Sequence, residues 1–323
     1  MNPPKVTTII PVHNGEQYLA DCIRSVLCQT WRNQEIIVVD DGSTDNSRKV
    51  AEAFADRGVE ILQTEPERPG AAAARNVGLD HGTGDFIQYL DSDDLLPPNK
   101  IAAQLAELER LPSGFLASCR WTKFRRSAED ARSEEHAIFA DFGPVDWLVT
   151  SWEGGGMMQT ACWLTPRRIA DKAGPWDESL RRNPDDDGEY FSRVLLRSRG
   201  VRFCADTAVY YRVPGEDSVS KQVGRESVNS LFMTCERYRE GILRAEDSPR
   251  VRHALAVKYA NFIYRFHPDY PELRRRAVRR IRELGFRRIP LVGGRAFRRV
   301  AAIAGFRGAL ILRSMMGRGR SAK

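Results

Sequence analysis

Apolar positions in the first hundred residues fall into short runs that alternate with segments of helical spacing. Val6 to Val12 is a largely β-branched run. Beyond it Tyr18, Cys22 and Val26, and beside them Leu19, Ile23 and Leu27, recur every four residues, which gives the next segment one apolar helical face. Glu35 to Asp40 reads as a second strand, and Gly42-Ser43-Thr44-Asp45 as a turn with N-cap residues for a helix running through Ala55. Val59 to Gln63 predicts a third strand, the alanine-rich Ala71 to Leu79 a helix, and Asp85 to Leu90 a fourth strand. Strands that alternate with helices in this way predict an α/β fold, a mostly parallel sheet with helices on both faces. Such sheets bind ligands beyond the carboxyl ends of their strands. The polar clusters lie at those ends: Pro11 to Glu16, Asp40 to Asp45, and Asp91 to Asp94.

The pattern is less regular afterwards. Residues 125–137 are charged and predict a surface loop, short strands are expected near Gln159 to Leu164 and Val201 to Tyr211, and a helix from Gly188 to Ser198. Past Ser220 the spacing is helical, with breaks at Gly285 and Gly293-Gly294.

A chain of 323 residues with 42% apolar content can bury a large core. MNPPKVTTIIPV runs straight into the first strand without the basic and apolar regions of a secretory leader, and is read as a cytoplasmic start. The apolar stretch Val300 to Leu312 is interrupted by Arg307 and is shorter than the ~20 residues of a spanning helix. Six scattered cysteines form no CxxC pair and predict reduced core thiols. Charge is distributed unevenly. From Pro271 to Lys323, sixteen Lys or Arg face two acids, so this tail carries +14 of a total of +7 and leaves −7 for the preceding 270 residues. The basic tail, with Phe297, Val300, Ile303, Ala304, Ile311 and Leu312 in a helical stretch, predicts an anionic membrane surface as partner, or else a helix packed on the acidic body.

Four clusters carry candidate chemistry. Asp91-Ser92-Asp93-Asp94 closes the fourth strand, and residues i and i+2 of a strand share a face, so Asp91 and Asp93 can point together into the cleft. Paired carboxylates suit a hard divalent cation, Mg²⁺ or Mn²⁺, that completes its shell with diphosphate oxygens and water; the plain alternative is a solvated cap. Asp41, at the end of the second strand, can accept the ring N–H of uracil, thymine or guanine, or serve the following turn. Arg75, in GAAAARNVGL, offers a guanidinium to a phosphate, or is an ordinary helix residue. Asn183-Pro184-Asp185-Asp186-Asp187-Gly188-Glu189 precedes a helix, where acids serve the helix dipole. Crowded acids also raise one another's proton affinity, which suits a general base. Trp152, Gly154 to Gly156 and Trp163 read as core and turn residues in preference to a sugar-stacking wall.

Taken together, VTTIIPVHNGEQYLADCIRSVLCQTW (6–31), EIIVVDDGSTDNS (35–47), GAAAARNVGLDHGTGDFIQYLDSDDLLPP (70–98) and, more loosely, GPWDESLRRNPDDDGEYFSRVLLRSRG (174–200) resemble the family 2 glycosyltransferases of the GT-A fold. The resemblance implies a catalytic region over residues 1–220, divided near residue 120 into a nucleotide-sugar half and an acceptor half, with a helical, basic region over 221–323. It implies that Pro11, His13, Glu16, Asp41, Arg75 and Asp91 bind the nucleotide-sugar, that Asp93 is the direct metal ligand, and that Asp187 is the catalytic base. The implied reaction is a single displacement with inversion, from a nucleoside-diphosphate sugar, UDP-sugar being favoured, to a hydroxyl of a glycan or lipid-linked glycan in cell-surface polysaccharide synthesis. Many relatives carry a His two residues beyond the position of Tyr211, where this chain has Val213-Pro214, while Ser218-Val219-Ser220 resembles the polar end of the same loop. A nucleotidyltransferase would need a Gly-rich basic loop near the first strand, which Pro11 to Glu16 does not supply. Nucleic acid is not expected as a partner, since no recognised module accompanies the basic tail.

Overall fold

The computed structural model describes residues 3–213 and 224–318. Chain order is β1 (Val6–Val12), α1 (Leu19–Leu27), β2 (Gln34–Asp40), α2 (Ser47–Glu52), β3 (Val59–Gln63), α3 (Ala71–His81), β4 (Phe86–Tyr89), α4 (Lys100–Glu109), β5 (Phe115–Phe124), β6 (Arg132–Ser133), α5 (Pro144–Thr150), β7 (Thr165–Pro166), α6 (Arg167–Ala173), α7 (Asp186–Leu196) and β8 (Gly200–Arg212). Four further helices follow: α8 (Arg225–Ala245), α9 (Pro249–Phe266), α10 (Pro271–Glu283) and α11 (Arg295–Arg318).

The main sheet has the order β3-β2-β1-β4-β7, parallel except for β7. All seven residues of β1 are buried, because helices cover both faces of the sheet and leave no solvent side to alternate toward. Helix α3 packs on β1 at close range: a Cβ at Gly78 would lie 2.5 Å from the Ile9 side chain. That contact holds α3, and with it Arg75, over the strand ends. A second sheet, β6-β5-β8, is tied to the segment after β4 by the reciprocal backbone hydrogen bonds of Leu95 and Tyr210, each 3.0 Å. The turn after β4 is thereby held on β8.

Several expectations need correction. Gln159 to Leu164 is not a strand: Thr160–Cys162 forms a buried 3₁₀ turn, Leu164 bridges Ala117, and the strand pairing comes one residue later, at β7. A short buried apolar run has the same pattern in either state, so spacing could not choose between them. Within the loop of residues 125–137, Arg132–Ser133 pairs with Thr122 and Lys123 of β5. Helix α2 starts at Ser47 and stops at Glu52; the expected extension to Ala55 is replaced by a separate 3₁₀ turn, Ala55–Arg57.

The C-terminal helices share the core of the sheet region. One continuous hydrophobic cluster runs from Ile9 to Leu310, with α8 against α7, α9 against α5 and α8, and α10 against α9. Trp152 and Trp163 are 6% and 2% exposed and belong to that core. Five cysteines are buried and unpaired, and Cys28, also unpaired, is exposed. Among the described residues no helix is long and apolar enough to cross a membrane.

Candidate active site

The loops after β1 and β2 are fastened to each other. Asn14, in a left-handed conformation (φ 52), accepts the Thr44 and Asp45 N–H groups on its Oδ1 at 2.8 and 3.3 Å. Glu16 accepts both the backbone N–H and the side-chain amide of Asn46 at 2.8 Å. His13 Nδ1 lies 2.7 Å from the Asp41 carbonyl. His13 and Glu16 are exposed on this rim, whereas Pro11 is buried inside β1 opposite Val39. The Asp41 carboxylate accepts the Gly70 N–H on both oxygens (2.9 and 2.8 Å) and the Thr64 hydroxyl at 2.9 Å, so it also shapes the entry to α3. Asn14 was not singled out from the sequence; its positive φ is the feature that marks it.

The acidic turn after β4 is braced from β8. Arg212 donates its backbone N–H to Asp94 Oδ1 and its Nε–H to the Asp93 carbonyl, both at 2.8 Å, with the guanidinium over the rings of Tyr18 and Phe124. Asp94 is 1% exposed, and burial followed by the charges of Asp93 and Asp91 raises its proton affinity. Burial, then the neighbouring Asp91, pushes the Asp93 carboxyl up to about 6. Among the described residues no hydrogen-bond donor from another residue reaches the Asp93 carboxylate. The donor atoms are all oxygens, as hard cations require. Among the described residues no group of three or more His, Cys, Asp or Glu could hold a metal ion; the acidic turn offers a cation the carboxylate oxygens of Asp93 and Asp91 alone.

Arg75 ties this turn to α7. Its guanidinium, from a residue 5% exposed, donates to Asp91 Oδ1 and to Asp186 Oδ2, each at 2.9 Å, and lies 4.3 Å above the Trp176 ring. Trp176 stacks on Tyr190 of α7 with centroids 4.1 Å apart. It is also fixed by the buried Asn76, whose side chain donates to the Trp176 carbonyl at 3.0 Å and accepts its N–H at 2.8 Å. Arg75 therefore joins the two acidic clusters, while Asn76 fixes Trp176 beneath the guanidinium, roles that their position in a helix gave no sign of.

Asp187 sits in the first turn of α7, half-buried. Its carboxylate accepts the Gly188 N–H at 2.8 Å and stands 3.5 Å from the Thr160 hydroxyl. Burial, then Asp186 and Asp185, push its carboxyl up to about 8. The Tyr211 phenol of β8 is pushed up by burial and then by Asp94, Asp93, Asp91 and Asp187 in turn. Behind them, Asp185 Oδ2 accepts from the Tyr238 hydroxyl (3.0 Å) and the Lys258 ammonium (3.2 Å). Lys258 also lies 4.7 Å from the Tyr238 ring centroid. These residues of α8 and α9 were read only as part of a helical pattern, because nothing in their spacing points to an acid 53 or 73 residues away. Val213 N–H donates to the Phe124 carbonyl at 2.8 Å; Pro214 and Ser218-Val219-Ser220 lie outside the described residues.

The sequence model of the glycosyl transferase family 2 matches residues 7–173, more than half of the chain. The chain belongs to that family. An uncharacterized glycosyltransferase of Rickettsia typhi is 41% identical over 214 residues, 61% of this chain and 64% of its own. The Escherichia coli UDP-Glc:alpha-D-GlcNAc-diphosphoundecaprenol beta-1,3-glucosyltransferase WfgD is 42% identical over 111 residues, 34% of this chain and 44% of its own. The chain thus spans less than two thirds of the length of these relatives. S. aureus TarS 1-349, in a crystal structure with UDP-GlcNAc, superposes with a TM-score of 0.71 over 98% of this chain and 92% of that one, at 15% identity. That likeness establishes the fold, the GT-A arrangement with helices appended at the C-terminus.

Proposed function

We propose that this family 2 chain is an inverting glycosyltransferase that moves a sugar from a UDP-sugar to a hydroxyl of a glycan or lipid-linked glycan. The observation that carries the reading is the Asp91–Arg75–Asp186 bridge. It joins a diphosphate-facing acidic turn to Asp186, the neighbour of the acid that would activate the acceptor, Asp187. In this reading the exposed loops after β1 and β2, with His13, Glu16 and Asp41, receive the nucleotide, while Pro11 sets the backbone of the first loop from inside β1. Asp93, with Asp91 beside it, would hold a Mn²⁺ or Mg²⁺ ion shared with the donor diphosphate; such an ion supplies Lewis-acid stabilisation of the leaving group. Arg75 orients Asp91 and adds positive charge under the diphosphate. Asp187 takes the proton from the acceptor hydroxyl as that oxygen attacks the anomeric carbon on the face opposite the leaving group, so configuration inverts and no covalent intermediate forms. The nucleotide is supported by the UDP-GlcNAc bound to TarS and the UDP-Glc in the name of WfgD, and the lipid-linked class of acceptor by the diphosphoundecaprenol in the latter.

Thermal unfolding in the presence of a panel of nucleotide-sugars tests the donor side. A UDP-sugar with Mn²⁺ is expected to raise the melting temperature of the native chain. Asp93→Asn is expected to fold normally and to lose that metal-dependent increase, because a neutral amide is a poor ligand for a hard cation. Unchanged stabilisation of Asp93→Asn by donor and metal would remove Asp93 from the site.

A further inference from the structure

Helix α11 ends the described chain with an apolar side that no described residue covers. It breaks at Gly305 (φ 71). After the break Phe306, Ala309 and Leu310 are buried toward the rest of the protein, while Ile311, Leu312, Met315 and Met316 are 51%, 45%, 66% and 69% exposed. At about 100° of rotation per residue, these four fall in one sector of the helix on the side away from Phe306 and Leu310. They form a stripe along the outer side. Ile303, just before the break, is 91% exposed. A contiguous apolar stripe on an otherwise charged surface marks a contact with something else.

The charge around the stripe selects what that is. Both acids of α10 are engaged, Glu272 with Arg225 and Glu283 with Arg280. Among the described residues, Arg280 is the one arginine of α10 and α11 that forms ion pairs, with Glu236 and Glu283. Arg279, Arg287, Arg288, Arg298, Arg299 and Arg307 are exposed, with no acidic side chain at ion-pair distance among the described residues. Among the described residues the acidic body therefore pairs with one arginine of α10 and α11, and helix packing leaves the six exposed arginines just named facing water. A second copy of the chain on the same stripe would bring two such tails together, which like-charge repulsion opposes. A nucleic acid would meet the arginines and leave the apolar stripe in water.

We propose that α11 docks the protein on an anionic lipid bilayer, with Ile311, Leu312, Met315 and Met316 in the headgroup–acyl boundary and the flanking arginines at the lipid phosphates. The helix sits beside the acidic site's support. Phe297 packs on Tyr264 of α9 at 4.7 Å between centroids, and Lys258, which reaches Asp185, is six residues earlier on the same helix. If the transfer reaction is as proposed above, a lipid-linked acceptor would be presented on this side; the docking itself does not depend on that reaction.

Flotation of the full chain with vesicles tests the proposal. Binding is expected to phosphatidylcholine vesicles that contain phosphatidylglycerol, to be weak with phosphatidylcholine alone, and to fall as salt is raised. The pair Leu312→Asp with Met315→Asp, and separately Arg298→Glu with Arg299→Glu, are each expected to lower partitioning on the order of tenfold or more. All are exposed positions, so melting temperature and donor-induced stabilisation should stay at wild-type values. That control separates lost docking from a lost fold or a wrong donor assignment. Equal binding to neutral and anionic vesicles, or full binding by the apolar variant, would overturn the proposal. So would a concentration-dependent dimer that the apolar variant dissolves in a chain that does not float.

Discussion

A carboxyl group that is to accept a proton must be kept from being too weak a base, and Asp187 is kept so by its surroundings. Burial, followed by Asp186 and Asp185, raises it to about 8. Only the ionised form can act as base, so turnover with bound donor is expected to rise with pH through the region of about 8 and level off above it, as an initial-rate profile would show. Stability has the opposite sign. The group is protonated in the folded chain over a range, from about 4 to about 8, in which the unfolded chain has already ionised, so the folded state loses stability as pH rises through that window. Asp187→Asn is expected to melt with the wild type near pH 4 and a few degrees above it near pH 8, while turnover falls ~10²-fold or more at unchanged donor affinity. Melting curves at the two pH values and a donor titration check this. A variant less stable than wild type at pH 8 would mean that the carboxylate is an anionic anchor and no base.

Among the elements, the C-terminal helices have a part that a reading of them as an appendage misses. The N-terminus of α7 is held from α8 and α9: Asn183 donates to the Thr234 hydroxyl at 2.7 Å, and Asp185 receives Tyr238 and Lys258. Trp152, in the π-helical turn after α5, packs on Tyr238 with centroids 4.8 Å apart. Lys258 is the cation behind Asp185, and Arg75 the cation in front of Asp186. Lys258→Met leaves Asp185 unpaired beside two other acids, so the rise of turnover with pH is expected to move to higher pH. Stability should fall by about 1–3 kcal/mol, as when a partly buried acceptor loses a partner, with donor affinity unchanged. Lys258→Arg should restore most of both. A loss of stability with an unmoved pH profile would make the pair structural alone. The regular elements were legible where apolar spacing is long and unambiguous, as in β1, β3 and the i+4 face of α1. They were not legible around Thr160–Cys162, where a buried turn and a buried strand present the same residues.

For the molecule as a whole, the continuity of the core matters more than any boundary near residue 220. Phe232, Tyr259 and Phe262 of α8 and α9 lie in the same hydrophobic cluster as Ile9 and Val38 of the central sheet. Thermal unfolding is therefore expected as one cooperative transition, and a chain cut after residue 220 is expected to aggregate, since it would expose the faces of α5 and α7 that these helices cover. Two resolved transitions, or a soluble and cooperatively melting fragment, would instead support two independent units.

The sequence by itself determined the order of strands and helices through β4, the burial of β1 between two helical layers, the placing of polar clusters at strand ends, and the uneven charge of the tail. These are local properties, set by side-chain spacing and composition, and they survive without knowledge of distant contacts. Tertiary structure alone decided that Arg75 bridges Asp91 and Asp186, that Arg212 braces the acidic turn, that Lys258 and Tyr238 stand behind Asp185, and that α11 turns an apolar stripe outward. All but the last join residues from separate elements, some more than a hundred positions apart in the chain, and the last depends on which face of α11 the rest of the protein covers. The physical reason is that ion pairing and burial depend on distance in space, and a single chain's residue pattern carries distance only along itself.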